Sequence, residues 1–229
     1  MEIIRKDEST WIIEDTGVRV FILKGKEKTA VIDTGMNLKD LKDIVSGLTD
    51  QPLILLNTHA DRDHIGCNDE FDEVSIGIHD LQHYQKNGFS QKITALYEND
   101  EIDLGERKLI VVDLSGHTPG SIGFYDPDRM ILISGDPIQK DGRVYMFGEQ
   151  RSLTGYIASL ERLQKRKDDF KEIWPSHALL PLDSGSIGKC LEDAKDICRG
   201  ALDYERTEMH GMTVCAYKGK ENIYLCDDR

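Results

Sequence analysis

An apolar run that leads directly into a polar cluster is the feature that most limits how this chain can fold. The run at residues 52–58 is mostly aliphatic, which indicates a strand that is covered on both faces. The segment His59–His64 follows it and contains two histidines and two aspartates. Imidazole and carboxylate groups are ligands of zinc, iron and manganese. The cluster is therefore either a solvated polar loop or a strand end that presents the candidate metal ligands His59, Asp61, Asp63 and His64.

Three further candidate ligands follow later strands in a similar way. Apolar runs at residues 108–113, 130–133 and 172–174 are predicted strands, and His117, Asp136 and His177 come after them in turn. Asp33 ends an earlier predicted strand, where it either caps the next helix or orients a metal ligand. The chain thus presents histidines and aspartates at several separate strand ends.

The order of the predicted elements favours two sheets over one. Strands are predicted at 11–13, 18–23, 29–32, 73–78, 121–125, 212–217 and 222–226, and helices at 38–47, 153–167 and 187–199. The order of strands followed by helices occurs twice along the chain. This repetition predicts an α+β fold with two sheets face to face and helices outside. A single doubly wound sheet would need a glycine-rich phosphate turn after its first strand, and that turn is absent. Without a linker or repeat, we expect a single domain over residues 1–229.

Several features of the chain allow more than one interpretation. The segment 88–107 is polar, with a weak helical pattern at residues 93–97, and residues 137–152 form either a loop over a pocket or a simple connector. His79 and His83 are spaced for one helix face, but they lack a carboxylate between them in the HExxH arrangement, so we interpret them as ordinary surface or partly buried histidines. Cys67 lies three residues after His64, and packing is its expected role.

Charge and composition limit the partners and the compartment. The chain has 29 Lys and Arg residues against 42 Asp and Glu residues, a net charge of −13, which disfavours nucleic acid and anionic membranes as partners. It has no run of about 18 apolar residues. The N-terminus lacks the apolar region of a signal peptide, and the odd set of five cysteines contains no CxxC pair. We therefore expect a cytoplasmic protein with a small-molecule substrate, while the oligomeric state is not readable from the sequence.

Taken together, these motifs give the chain a clear family resemblance. It resembles the metallo-β-lactamase superfamily through the His59–His64 cluster, Ile32-Asp33-Thr34-Gly35, Gly116-His117-Thr118-Pro119-Gly120, Ser134-Gly135-Asp136 and His177, over roughly residues 10–217. The resemblance implies a four-layer αββα sandwich of two mixed β-sheets with outer helices, and two metal ions at one edge. It also implies that His59, Asp61 and His117 hold one metal, that Asp63, His64 and His177 hold the other, that Asp136 bridges both, and that Asp33 supports a ligand.

One departure from the family pattern concerns Asp61. The family's usual cluster is His-x-His-x-Asp-His, whereas this chain has an aspartate at position 61. A carboxylate is a harder donor that adds negative charge, so it weakens the Lewis acidity of the metal and shifts preference from zinc toward iron or manganese. The diiron flavoproteins of the superfamily have a carboxylate at this position, but this chain has no flavodoxin-like module. We expect two divalent metal ions, with zinc ahead of iron and manganese, although a degenerate site with one metal is the alternative.

The resemblance favours metal-assisted hydrolysis as the function. A metal-bound hydroxide would attack a small ester, thioester, lactone or related substrate, with Asp63 orienting the nucleophile or moving its proton. The acidic surface disfavours a nuclease, the missing signal peptide disfavours a secreted β-lactamase, and the chain is short for the complete C-terminal helical region of glyoxalase II enzymes. The alternatives are a non-haem iron redox protein acting on oxygen, nitric oxide or sulfur compounds, and a metal-binding module without turnover.

Overall fold

The computed structural model describes residues 1–89 and 91–228. Positions 90 and 229, which the predicted domain includes, lie outside the described residues. The strands are β1 (Glu2–Asp7), β2 (Thr10–Asp15), β3 (Val18–Lys24), β4 (Thr29–Ile32), β5 (Leu53–Asn57), β6 (Glu73–Gly77), β7 (Lys92–Leu96), β8 (Glu101–Asp103), β9 (Lys108–Asp113), β10 (Ile122–Asp126), β11 (Ile131–Gly135), β12 (Arg143–Met146), β13 (Glu172–Pro175), β14 (Tyr204–Met209), β15 (Met212–Lys218) and β16 (Ile223–Asp227). The α-helices are α1 (Leu41–Ser46), α2 (Leu81–Lys86), α3 (Leu153–Gln164) and α4 (Gly185–Cys198), with short 3₁₀ helices at Asn68–Glu70, Ile78–Asp80 and Lys167–Asp169.

The strands form three sheets. The first has the order β1-β2-β3-β4-β5-β6-β7, antiparallel up to β4 and parallel from β4 to β7. The second has the order β13-β11-β10-β9-β8, with β11 and β13 parallel. The third has the order β12-β16-β15-β14, in which β12 runs parallel to β16. Two mixed sheets were predicted, whereas the smaller third sheet was not.

Alternating side chains along the strands build the layers. In β3, Val20 and Ile22 pack with Leu41 and Val45 of α1, while Phe21 on the opposite face packs against the second sheet. This alternation follows from the two-residue period of a strand. The second sheet repeats the pattern, since Val111 of β9 faces the first sheet and its neighbour Val112 faces α3 and α4. The layers are therefore helix, sheet, sheet and helix, which confirms the predicted α+β sandwich.

Two segments differ from the sequence predictions. Residues 93–97 were given a weak helical tendency, but Lys92–Leu96 forms the edge strand β7, in which exposed Lys92 and Thr94 alternate with more buried neighbours. Within 137–152, residues Arg143–Met146 form β12, which pairs with β16 in the third sheet. This part of the segment is therefore a strand and not a loop. The single domain over 1–229 stays a prediction. No helix among the described residues is long and apolar enough to span a membrane.

Candidate metal centre and active site

The predicted site residues meet at one edge of the two main sheets. His59–His64 follows β5, His117 lies between β9 and β10, Asp136 follows β11, and His177 follows β13. Because β4 and β5 are parallel, as are β11 and β13, the carboxyl ends of these strands lie at the same edge. The structure brings together all seven residues that the sequence singled out as candidate ligands: His59, Asp61, Asp63, His64, His117, Asp136 and His177.

Two groups of donor atoms can be distinguished within the cluster. His59, Asp61 and His117 form the first position, where Asp61 Oδ2 lies 3.4 Å from His59 Nε2 and 3.3 Å from His117 Nε2. Asp63, His64 and His177 form the second position, with Asp63 Oδ2 3.7 Å from His64 Nε2 and 3.2 Å from His177 Nε2. Each group has two imidazoles and one carboxylate within reach of a single ion.

Asp136 lies between the two positions. Its Oδ2 is 3.5 Å from His117 Nε2, whereas its Oδ1 is 3.2 Å from His64 Nε2 and 3.3 Å from His177 Nε2. One carboxylate oxygen therefore faces each group. This arrangement suits an aspartate that bridges two ions, as the sequence resemblance predicted.

The outer ring nitrogens fix the tautomers of the four histidines. Nδ1 of His117 lies 2.9 Å from Tyr145 O, Nδ1 of His177 lies 2.6 Å from Gly17 O, and Nδ1 of His64 lies 2.8 Å from Asp33 Oδ2. Carbonyl and carboxylate oxygens only accept hydrogen bonds, so each Nδ1 must donate. In a neutral ring Nε2 then has a free lone pair that points into the cluster. The Thr58 hydroxyl donates to Asp33 Oδ2 and therefore accepts from His59 Nδ1, which leaves the lone pair on His59 Nε2 as well.

The inward-facing atoms fit metal ions. Among the described residues, His59 Nε2, His64 Nε2, His117 Nε2 and Asp136 Oδ1 are buried without a hydrogen-bond partner. Orphaned buried polar atoms are costly, and ligation by a cation satisfies them. Neutral imidazole and carboxylate form the donor set that zinc, iron and manganese accept. The residues present therefore fit two divalent metal ions.

The electrostatics of the cluster favour cations. Burial lowers the pKa of His64, but Asp136, Asp33 and Asp63 outweigh it and raise that pKa well above its usual value. Burial is likewise outweighed at His177, where Asp136 and Asp63 raise the pKa to about 10. The field that retains protons on these rings also attracts metal cations, which compete with protons for the same nitrogens.

Two buried aspartates hold the ligand loops in place. Asp33 accepts hydrogen bonds from Thr58 N at 2.8 Å and from His64 Nδ1, which ties β4 to the turn after β5. Asp80 accepts from Ala60 N at 2.9 Å, Thr118 Oγ1 at 2.8 Å and Gly120 N at 2.6 Å. It thereby joins the turn that carries His59 to the loop that carries His117. Asp33, which was predicted to orient a ligand, contacts the candidate ligand His64. Asp80 was not singled out from the sequence.

A cavity of about 830 Å³ opens over the cluster of candidate ligands. Its floor includes Asp61, Asp63, Asp136 and His177, and its outer wall includes Tyr145, Phe147 and His210. The rings of Phe147 and His210 stack with centroids 6.4 Å apart. Arg62, Arg143 and Arg151 also line the cavity, although the chain as a whole is strongly acidic. The cavity is thus a cleft with candidate metal ligands at its floor, aromatic side chains in its wall and arginines in its lining.

Comparison with known proteins identifies the family. The family model described as the metallo-beta-lactamase superfamily matches residues 13–196, most of the chain. The chain belongs to the metallo-β-lactamase superfamily. The solved metallo-beta-lactamase from Pontibacter korlensis superimposes on 85% of this chain and 99% of its own, with a TM-score of 0.70 and 18% sequence identity, which supports the fold.

Curated relatives in this superfamily are hydrolases by name. The acyl-coenzyme A thioesterase MBLAC2 of Homo sapiens is 27% identical in an alignment that covers 73% of this chain and 77% of that protein. A hydroxyacylglutathione hydrolase of Erythrobacter litoralis is 29% identical over 138 residues, 59% of this chain and 54% of that protein. The prediction of a metal-dependent hydrolase of this superfamily is confirmed.

Sequence reasoning did not assign two side chains that contact the candidate ligand Asp61. His83 of α2 is partly buried, as expected, but its Nε2 lies 3.0 Å from Asp61 Oδ1, so it is more than an ordinary histidine. Arg151 donates from Nη2 to Asp61 Oδ2 at 2.5 Å and from Nη1 to the His117 carbonyl oxygen. The interpretation of His79 as a surface residue holds, since it is exposed. The i, i+4 spacing of the two histidines was visible, but no local signal marked Arg151.

Proposed function

We propose that this chain is a dinuclear metal-dependent hydrolase that cleaves a small thioester. The observation that carries the proposal is the convergence of four imidazole Nε2 atoms and three aspartates on two adjacent positions, with Asp136 between them. His59, Asp61 and His117 would hold one metal, Asp63, His64 and His177 the other, and Asp136 both. Zinc is the metal we expect first, with iron or manganese as alternatives.

The bound metals would supply a water of lowered pKa and positive charge opposite the developing oxyanion. Asp63 is placed to handle the proton of that water, because it lines the cleft and its side chain is one-third exposed. Burial raises the pKa of Asp63, but His64 and His177 outweigh it and hold the pKa below its usual value, so the carboxylate is ionised at neutral pH. We assign Asp63 the role of orienting the nucleophile and accepting its proton.

The lining of the cleft supports a thioester whose leaving thiol is anionic. Arg62 and Arg143 lie at the cleft, and neither has an ion-pair partner among the described residues. A smaller cavity shares His83 and Phe147 with the cleft and extends it toward Lys86. Cations without acidic partners bind carboxylate or phosphate groups, and guanidinium does so in a bidentate manner. The names of the two curated relatives describe coenzyme A and glutathione thioesters. In both, the thiol that leaves has negatively charged groups elsewhere in the molecule.

Metal content and turnover test the proposal together. Protein purified without chelator or nickel is analysed by elemental mass spectrometry, and hydrolysis of thioester, ester and lactone substrates is followed. We expect two metal ions per chain and thioester hydrolysis. Asp136→Asn should lose the metal ions and the thioester hydrolysis. Asp128→Asn, on an exposed turn, should retain the metal ions and the hydrolysis. A fully active Asp136→Asn variant, or a wild-type chain without metal, would contradict the proposal.

Leaving groups of different charge test the substrate class. One acyl group is presented on coenzyme A, glutathione and uncharged N-acetylcysteamine, and kcat/KM is measured for each. We expect the two anionic thiols to be preferred by about tenfold, because the arginines at the cleft bind them before the acyl bond is cleaved. Arg143→Met should reduce that preference and leave the uncharged thioester unaffected. Equal rates for all three thiols would remove the anionic-thiol proposal but not the hydrolase.

The carboxylate at position 61 favours a second candidate, a non-haem iron protein with redox activity. Asp61 gives the first position a harder donor than histidine. Two irons per chain with oxygen-dependent turnover would support this alternative, whereas two zinc ions with thioester hydrolysis would exclude it.

A further inference from the structure

Asp61 lies among four nitrogen-bearing side chains, two from the first position and two outside it. Its Oδ2 faces His59 Nε2 at 3.4 Å, His117 Nε2 at 3.3 Å and Arg151 Nη2 at 2.5 Å. Its Oδ1 accepts from His83 Nε2 at 3.0 Å. The imidazoles of His59 and His117 belong to the first position, but Arg151 and His83 do not. These two outer partners are therefore specific to the carboxylate.

Arg151 is built into the site. It follows β12 and precedes Ser152, whose hydroxyl caps the N-terminus of α3 by accepting from Gly155 N. Its side chain is only 14% exposed, and Asp61 is the only acid within 4.0 Å of it among the described residues. A second guanidinium hydrogen bond to the carbonyl oxygen of His117 holds its plane in place. The guanidinium is thus fixed between a candidate ligand and the backbone of another.

A guanidinium at this place does not exclude a metal ion. A carboxylate oxygen has two lone pairs, so Asp61 Oδ2 can accept from Arg151 and still offer one pair toward His59 and His117. The effect of Arg151 on the first position is electrostatic. Aspartate and arginine together have no net charge, which is also the charge of a neutral histidine at position 61.

We propose that Arg151 is a positioning residue that neutralises Asp61 and thereby sets the metal affinity of the first position, an inference that rests on the metal-binding part of the proposed function. The pair gives the first position an oxygen donor without the extra negative charge that an isolated aspartate would add. Arg151 also weakens the first position for cations, since it repels a second positive charge nearby. His83 completes the pair by orienting the remaining oxygen of Asp61.

Cobalt(II) titration of the metal-free full-length chain, followed by its visible absorption, tests this inference without reference to activity. His177→Ala, which lacks a ligand of the second position, identifies the spectrum of the first. We expect Arg151→Met to tighten cobalt binding at the first position by about tenfold or more, because the repelling charge is lost. Asp61→His should weaken cobalt binding there by a similar factor, because the positive charge of Arg151 then has no carboxylate to offset it. The double variant should return to about the wild-type affinity, because the two opposite charges that offset each other in the wild type are then both absent.

Two control variants separate charge from structure. Arg151→Lys keeps the positive charge and should bind cobalt as the wild type does. Arg199→Met removes an exposed arginine at the end of α4 that pairs with Asp196, away from the cleft, and should leave the first position unchanged. Weaker or unchanged cobalt binding in Arg151→Met, a double variant far from the wild-type affinity, or an Arg151→Lys variant that behaves like Arg151→Met would overturn the inference and leave the hydrolase proposal intact. A wild-type chain that binds no cobalt would overturn both.

Discussion

Asp33 has a left-handed backbone, with φ of 62°, and turns the chain from β4 toward the cluster of candidate ligands. Its carboxylate is fully buried and contacts Thr58 and His64, so the same residue shapes the turn and orients a candidate ligand. Asparagine also tolerates left-handed geometry, so Asp33→Asn tests the charge without forcing the backbone to change.

We expect Asp33→Asn to weaken metal binding by about 10- to 100-fold, because a ligand histidine that loses its carboxylate partner is less basic and less well oriented. Metal affinity is measured in competition with a coloured chelator. Asp15→Asn is the matched control, since Asp15 is also buried but accepts from the backbone of Met36 and Asn37. An Asp33→Asn variant with wild-type affinity would show that His64 needs no carboxylate partner.

Cys67 lies in the core below the site and does not face the candidate ligands. It packs with Leu38 and Phe71, and its thiol donates to the Leu38 carbonyl oxygen at 2.7 Å, as the packing interpretation from sequence predicted. Burial, together with Glu70 and Asp69, raises the pKa of the Cys67 thiol to about 12. Below that pH the thiol is protonated, and only the thiolate is nucleophilic.

We therefore expect Cys67 to resist iodoacetamide at pH 8 while the exposed Cys198 reacts. Peptide mapping by mass spectrometry of the native protein measures both sites in one sample. In denaturant, Cys67 should react at the rate of Cys198, because burial no longer suppresses its ionisation. Equal labelling of the two cysteines in the native protein would contradict the packed position of Cys67.

At the scale of the elements, Asp80 connects two ligand loops that lie far apart in the sequence. It receives hydrogen bonds from the turn after β5 and from the loop before β10. Gly116 allows the second of these loops to lie against α3, since its φ is 129° and a Cβ there would lie 2.2 Å from Tyr156 N. Both contacts position His117 relative to His59.

Asp80→Asn should destabilise the fold by about 1–3 kcal/mol and weaken metal binding at the first position. The amide presents its own N–H groups to at least one buried donor, which leaves that donor unsatisfied. Urea unfolding and cobalt titration measure the two effects. Asp193→Asn serves as the comparison, because Asp193 is equally buried and accepts from Lys220 N, away from the cleft. We expect Asp193→Asn to lose stability only, so an equal loss of metal affinity in both variants would argue against a specific role for Asp80.

The elements that the sequence predicted are those in which burial leaves a local pattern. Strands β2 to β5 and β9 to β11 have apolar faces against the core, and the ligands directly follow such strands. Strands β1 and β14 are largely exposed and owe their form to pairing with β2 and β15, so their sequences have no apolar pattern to read. Arg151 was missed for a related reason. Its partner Asp61 is 90 positions away, and only the packing of α3 beside the site brings them together.

At the scale of the whole molecule, the cluster of candidate ligands is a concentration of buried charge that the fold must contain. Four buried or partly buried carboxylates, those of Asp33, Asp61, Asp63 and Asp136, converge with four histidines. Buried polar atoms without partners cost stability, so ions that bind the folded chain alone should stabilise it.

Removing metal with EDTA should lower the melting temperature by about 10 °C, which corresponds to about 4 kcal/mol of binding at a thousandfold excess over Kd. Circular dichroism melts with and without chelator measure the shift, and added zinc should restore it. Asp136→Asn, which lacks the bridging carboxylate, should melt at the same temperature with and without EDTA. If the wild-type chain melts at the same temperature with and without EDTA, the cluster is stable without metal.

The hairpin of β14 and β15 places His210 and Met212 at the outer rim of the cleft. Its tip closes at His210 and Gly211, both in left-handed conformations, with φ of 50° and 78°. All seven candidate ligands lie within residues 59–177, and the family match ends at residue 196, before the hairpin begins. Insertions and deletions at this tip would therefore reshape the rim without moving a candidate ligand. Related chains could diverge in substrate range at this turn during evolution while their shared chemistry is retained.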